Sequence, residues 1–190
     1  MADVVAKTKR LIIRNWLPED RAEYLTTCNS EAVTKHLGGP GAKEEVDAAF
    51  ERIAKSQEER GFSFWAIERK ADGALLGYCG LRICEDPERP VHGNLEIGWR
   101  LREDAWGHGY AYEAAQAALD WAWAKLDARR VVAFTVPANG PSWRLMERLG
   151  MTRRPDLDFA HSRFARDHPL SAHITYVMDR PLVNSPGLSR

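Results

Sequence analysis

Charge of one sign is missing from this sequence: 27 lysines and arginines face 27 aspartates and glutamates, and the formal net charge is zero. Such a chain offers no global field to nucleic acid or to an anionic membrane surface, so neither is expected as a partner. An anionic ligand has to be caught by a local arrangement. Cysteine is scarce, at Cys28, Cys79 and Cys84. Three thiols without a CxxC pair argue against a disulfide framework and a zinc site, and they suit a reducing compartment. No metal is therefore expected. Long apolar runs are lacking as well. Nowhere do about 18 apolar residues follow one another, as a membrane helix requires, and no apolar export-signal segment follows the basic residues near the N-terminus. The expectation is a cytoplasmic protein without repeats or low-complexity tracts.

What is present suits one domain. A chain of 190 residues removes roughly 70% of its exposable surface on folding, enough for a proper core. We expect a single domain over residues 1–190, with its core at about 10–181 and a flexible C-terminal tail at 184–190. Leu11, Ile12 and Ile13 mark a first strand within residues 10–15, and Pro18-Glu19-Asp20 supplies the proline and acidic first turn of a helix. Between residues 43 and 59, Val46, Ala49, Phe50, Ile53 and Ala54 share one helical face, and Gly61 ends that helix. Residues 62–69 and 74–83 read as strands joined by a hairpin turn at Asp72-Gly73.

Alternation is clear in residues 94–101: Leu95, Ile97, Trp99 and Leu101 point one way, Glu96, Gly98 and Arg100 the other. A glycine turn follows, and then Ala111, Ala114, Ala115, Ala118, Leu119 and Ala122 form a narrow stripe suited to a helix packed closely on a sheet. Residues 130–136 are a valine-rich strand, Asn139-Gly140-Pro141 begins a short helix that Gly150 stops, and residues 173–178 are a final strand. The polar stretch 153–169 reads as a surface loop.

The chemistry concentrates where LREDAWGHGYAYE takes a strand end through two glycines into a helix start. There, backbone N–H groups lack intrahelical partners, glycines permit close backbone approach, and the helix dipole favours a negative group. The same two glycines also suit a plain tight turn. A nucleotide P-loop is excluded by the missing G-K-[ST] ending, and a dinucleotide fingerprint by the missing third glycine and the antiparallel strands upstream.

The succession strand, W-G-x-G-Y-A-x-E-A, strand, N-x-x-S-x-x-x-x-E-x-L-G, at residues 106–114 and 139–150, resembles the GNAT superfamily. The opening Leu11-Ile12-Ile13-Arg14, the strand Glu96-Ile97-Gly98-Trp99 and the late Asp158-Phe159, His161, His168-Pro169-Leu170 and His173 pieces are similar to its branch of ribosomal-protein N-terminal acetyltransferases. The resemblance spans about residues 10–181. It implies an α/β (α+β) fold, a mixed and mostly antiparallel central sheet flanked by helices, whose splayed central strands hold coenzyme A. It further implies acetyl-CoA as donor, its pyrophosphate on the backbone amides of Gly107, His108, Gly109, Tyr110 and Ala111 beside Trp106, and its pantetheine arm along Trp99 and Leu101. Asn139, Ser142 and Arg144 would meet its far side. Asp104 departs from the Gln or Arg that many members carry there, and an acid weakens phosphate attraction unless it points away.

Acetyl transfer to nitrogen needs a neutral amine, a stabilised oxyanion and, for the departing thiolate, a proton. Glu96 is the candidate base, with a structural glutamate paired to an arginine as the plainer alternative. The oxyanion donor implied by the resemblance is a backbone N–H where the strands part, at Trp99. Members that use a tyrosine acid carry it where this chain has Met146, which donates no proton. Ser142 could serve the leaving group instead, or merely cap its helix. His161, His168 and His173 are chemically able to act as bases, and of seven tryptophans Trp99 and Trp106 are the site neighbours. The acceptor is a primary amine, on a protein N-terminus or a small molecule. A non-catalytic acyl-CoA-binding module is the rival reading, and a homodimer is open.

Overall fold

In a computed structural model that describes residues 3–181, nine strands join one sheet. β1 (Val4–Lys7) and β2 (Leu11–Arg14) are followed by α1 (Asp20–Thr27), a single turn α2 (Glu31–Thr34) and α3 (Lys43–Arg60). Then come β3 (Phe64–Arg69), β4 (Leu75–Ile83), β5 (Leu95–Leu101) and α4 (Tyr110–Lys125). The chain continues through β6 (Arg130–Thr135), α5 (Gly140–Arg148), β7 (Thr152–Arg153), β8 (Phe159–Ala160) and β9 (Ala172–Asp179). The spatial order is β1-β2-β3-β4-β5-β6-β9-β7, with β8 on the far edge of β9. Only the β5–β6 pair is parallel; the others are antiparallel.

Local signals account for most of these bounds. Gly61 stops α3 with φ of 77° and a backbone bond back to Gln57, the left-handed ending that glycine adopts without a Cβ penalty. The alanine stripe of α4 is fully buried at Ala114, Ala115, Ala118 and Ala122. Small side chains let this helix approach the sheet over Trp65, Leu81 and Ile97, all under 3% exposed. On the opposite face α1 and α3 cover a second cluster around Tyr24, Val46, Phe50 and Leu75. An ion-paired hub locks α1 there. Arg14 grips Asp20 at 2.6 and 2.9 Å and Glu68 at 2.7 Å, and Asp20 also accepts the Leu17 amide.

Four elements escape the sequence pattern. β1 begins seven residues before β2, the first recognisable strand, and α2 is a single turn. β7 and β8 fall inside the stretch 153–169 read as a surface loop. Each is two to four residues long, too short for a period to register, and the late pair exists because β9 offers it an edge. β9 thus has both edges occupied within the chain, by β6 on one side and by β7 and β8 on the other. The three cysteines are free and buried. The expected tail at 184–190 lies outside the described residues. Among those described, no helix is long and apolar enough to cross a membrane, and no group of three or more His, Cys, Asp or Glu side chains could hold a metal ion.

Candidate functional site

The glycine turn between β5 and α4 takes its shape from two left-handed residues, Gly107 at φ 76° and Gly109 at φ 78°. A Cβ on Gly107 would meet nothing within 4 Å, so the turn faces open space. Gly109 starts α4 with no side chain to cap it, leaving the first-turn amides of Tyr110 and Ala111 free for an outside acceptor. Arg10, immediately before β2, braces this turn. Its Nε and backbone N–H donate to Glu113 at 2.7 and 2.8 Å, its Nη1 donates to the His108 carbonyl at 2.8 Å, and its guanidinium lies 4.5 Å from the Tyr110 ring centre. Nothing in the sequence ties Arg10 to residues nearly a hundred positions away. The His108 ring is exposed beside Tyr110. Trp106 is half exposed and donates its indole N–H to the Leu101 carbonyl at 2.9 Å, closing the end of β5. Asp104 points at Arg102, with contacts of 2.6 and 3.0 Å, and that guanidinium holds its carboxyl below the usual range.

Beside the turn the sheet opens. β5 and β6 pair at Leu95↔Val131 and Glu96↔Val132 and no further, whereas β5 stays paired with β4 along its whole length. Backbone bonds from the Arg102 amide to Leu76 and from the Cys84 amide to the Asn94 carbonyl turn the even-numbered polar groups of β5 toward β4. Alternation then turns the Trp99 N–H toward β6, beyond the last paired residue. Leu101 is buried in the core and the Trp99 side chain packs against it.

Across the gap, α5 brings the second motif. Asn139 starts it, but its side-chain amide donates back to Thr135 Oγ1 at 3.0 Å and caps nothing. The Ser142 hydroxyl makes no hydrogen bond among the described residues, and its amide bonds the Asn139 carbonyl. The capping role weighed for Ser142 is therefore not the one it fills. Arg144 is exposed and folds back over Trp143, 5.0 Å from its ring centre. Met146, at the position where the resemblance implies a tyrosine acid in some members, is 1% exposed and belongs to the core.

On the other face of β5, Glu96 borders a cavity of about 1080 Å³ between the sheet, α1, α3 and the loop carrying His161. Its carboxylate is 8% exposed and held by Arg82 through two bonds of 2.8 and 2.9 Å, with Cys84 Sγ 3.6 Å away. Burial and the Glu96 charge push the Cys84 thiol up to about 12, so it stays protonated. The structure thus realises the arginine pairing foreseen for Glu96 and places that pair on the cavity wall. His161 lines the same cavity, and its Nε2 lies 3.0 Å from Arg89. Burial first, then the Arg89 cation and His173, hold its imidazole down at about 4, so it is neutral near pH 7. His173 packs flat on Phe159 and stands 5.0 Å from His161. His168 stacks on Phe164 farther along the loop.

Comparison with known proteins agrees with this arrangement. Residues 10–152 match the family model described as an acetyltransferase (GNAT) domain. The Bacillus subtilis protein YkkB is 34% identical over 151 residues, covering 77% of this chain and 86% of that protein. YnaD, an uncharacterized N-acetyltransferase of the same organism, is 34% identical over 147 residues, 77% and 81% of the two chains. Among solved structures, an acetyltransferase from Agrobacterium tumefaciens superposes with a TM-score of 0.73 at 27% identity, over 91% of this chain and 92% of that one. RimL, a ribosomal L7/L12 alpha-N-protein acetyltransferase in complex with coenzyme A, shares the fold at 17% identity with a TM-score of 0.74, over 93% and 98%. With a mixed nine-stranded sheet, a split beside a glycine turn and a family model that covers most of its length, this chain belongs to the GNAT family of N-acetyltransferases.

Proposed function

We propose that the chain, working as one acetyltransferase domain in the cytoplasm, moves the acetyl group of acetyl-CoA to a primary amine by direct attack. The observation that carries this is the parting of β5 from β6 after Glu96↔Val132, at one end of which stands the glycine turn and at the other a carboxylate facing a large cavity. GNAT enzymes use acetyl-CoA, and the residues here fit it. Uncapped α4 amides behind two left-handed glycines suit a diphosphate, and an open strand edge suits the amide-bearing pantetheine arm. Gly107, His108, Gly109, Tyr110 and Ala111 would hold the diphosphate. Trp99 and Leu101 would flank the arm beside Trp106, while Asn139, Ser142 and Arg144 would border its far side. The bound donor supplies an activated acetyl thioester.

The chain's own groups do the remaining work. The acceptor nitrogen must be neutral, and an α-amine, with a reference pKa of about 7.7 to 8.0, loses its proton more readily than a lysine at about 10.4. Glu96 accepts that proton, directly or through water. Arg82 occupies two of the carboxylate's roughly four lone-pair directions and the Cys84 thiol donates to a third, which fixes its orientation and leaves about one for the cavity. The Trp99 amide donates to the oxygen on which negative charge develops. The Ser142 hydroxyl, without a hydrogen-bond partner among the described residues, passes a proton to the departing sulfur. The acceptor is either a protein N-terminus or a small amine.

The test is thiol release from acetyl-CoA across a panel of amines and peptides. Glu96→Gln keeps the shape of the pair with Arg82 but accepts no proton, so acceptor-dependent release should fall by about 10² to 10⁴ while coenzyme A binding persists. Tight coenzyme A binding with no acceptor turned over by the unaltered protein would instead favour a non-catalytic acyl-CoA-binding module. Unchanged turnover in Glu96→Gln would remove that residue from the reaction.

A further inference from the structure

Of the six arginines on the cavity wall, three have no carboxylate partner among the described residues: Arg52 and Arg163, which are exposed, and Arg100, which is half-buried. Arg82 is held by Glu96 at 2.8 Å, Arg60 by Glu85 at 2.6 Å and Arg89 by Asp86 at 2.9 Å. Arg100 has no carboxylate within 4 Å among the described residues. Its side-chain hydrogen bond runs from Nη1 to the Tyr24 hydroxyl at 2.7 Å, and its Nε is buried with no partner. The guanidinium lies 5.6 Å from the Tyr78 ring centre and 6.0 Å from that of Tyr24, and Phe64 stacks on Tyr78 at 5.0 Å. Tyr24 is 5% exposed, and burial pushes its phenol upward, so it stays neutral and does not cancel the cation.

A buried guanidinium donor left without an acceptor is costly and calls for an explanation, and Arg100 Nη2 likewise has no hydrogen-bond partner among the described residues. The whole cavity leans the same way: seven basic and five acidic side chains line it, in a chain with no net charge. The planar fork of an arginine matches the two oxygens of a carboxylate, and the aromatic rings exclude water around it. Position adds the last element. Arg100 directly follows Trp99, whose amide faces the strand opening, and neighbouring Cα atoms lie about 3.8 Å apart. Glu96 and Arg100 share one face of β5 with the bare Gly98 between them, where a Cβ would press to 3.1 Å of Phe64.

We propose that Arg100 is a specificity residue that receives a carboxylate of the acceptor, so that the amine acetylated here is carried on a molecule with a carboxylate a few bonds away. This rests on the transferase reading above and narrows its acceptor to amino acids or to peptides with an acidic residue next to the N-terminus.

The full-length protein is assayed for thiol release with each free L-amino acid against its decarboxylated amine, and with peptides bearing Asp or Ala at the second position. The preferred acidic acceptor should exceed its uncharged partner in kcat/KM by about tenfold or more; which pair shows the gap identifies the source. Arg100→Met should erase that gap through KM, with coenzyme A affinity by calorimetry unchanged, and Arg100→Lys should restore part of it. Equal use of acidic and uncharged acceptors, or an equal loss on both in Arg100→Met, overturns the proposal. If the unaltered protein acetylates no amine, the transferase reading fails by itself. The carboxylate site is then decided by thermal shifts with the same amino acids: stabilisation lost in Arg100→Met supports it, and none in the unaltered protein overturns it.

Discussion

Replacing Gly109 by valine separates two roles that one residue plays. Its φ of 78° lies in the left-handed region, where an L-residue is disfavoured by about 1–2 kcal/mol and a β-branched one by more. Crowding within the protein adds little, because the nearest atom to a Cβ there is Arg10 Nη2 at 3.5 Å, the far end of a flexible side chain. For a chain of this size each kcal/mol shifts Tm by about 2–4 °C, so the strain alone lowers it by at least roughly 2–8 °C. The second effect falls on the ligand. The isopropyl group stands beside the uncapped first turn of α4, and losing one charge-assisted hydrogen bond, worth about 1.5–3 kcal/mol, weakens coenzyme A binding by about tenfold or more. Calorimetric titration with coenzyme A and a thermal melt measure the two separately. Gly109→Asn, which tolerates the left-handed region better, should regain much of the Tm while binding stays impaired. A folded Gly109→Val protein with undiminished coenzyme A affinity would refute the placement of the diphosphate.

Two further perturbations probe the frame around the site. Asp20→Ala leaves Arg14, 8% exposed at its side chain, with Glu68 alone and frees the Leu17 amide; breaking such a pair costs about 3–5 kcal/mol, and denaturant unfolding should give the lower end of that range. Replacing both members by apolar residues, Arg14→Met with Asp20→Leu, should recover most of the loss, and a single variant within about 1 kcal/mol of the original would contradict the hub. His161 gives a pH signature. Its folded value of about 4 lies below the ordinary value of about 6.5, so the unfolded chain binds the extra proton between those limits. Stability from this group is complete above about pH 6.5 and is lost as pH falls toward 4. His161→Phe should flatten that slope in thermal melts, though not abolish it, because burial lowers His173 in the same direction. An identical slope in both proteins would count against a buried neutral imidazole.

Legibility in the sequence followed the length of each signal. The strand Leu95–Leu101 announced both its faces by strict alternation, and the GHG sequence with the alanine stripe after it announced the turn and the start of the helix proposed to hold the diphosphate. Gly61 and Gly150 marked helix ends through their conformational freedom. The very short β7 and β8 carried no such signal, since two residues have no period and their pairing depends on β9 arriving beside them. Arg100 was placed on the Glu96 face by alternation, yet its lack of an acid partner was invisible there.

By itself the sequence determined the family, the order of the longer elements and the motif residues, because these depend on local periodicity and on chemistry carried by neighbouring positions. Tertiary structure alone decided that Arg10 braces a turn 98 residues away, that Glu96 is shared with Arg82 and that, among the described residues, the Ser142 hydroxyl has no hydrogen-bond partner and Arg100 no carboxylate at the cavity wall. Those facts arise from charges and donors brought together across the sheet, and pairing between distant residues leaves no trace in the spacing of either one.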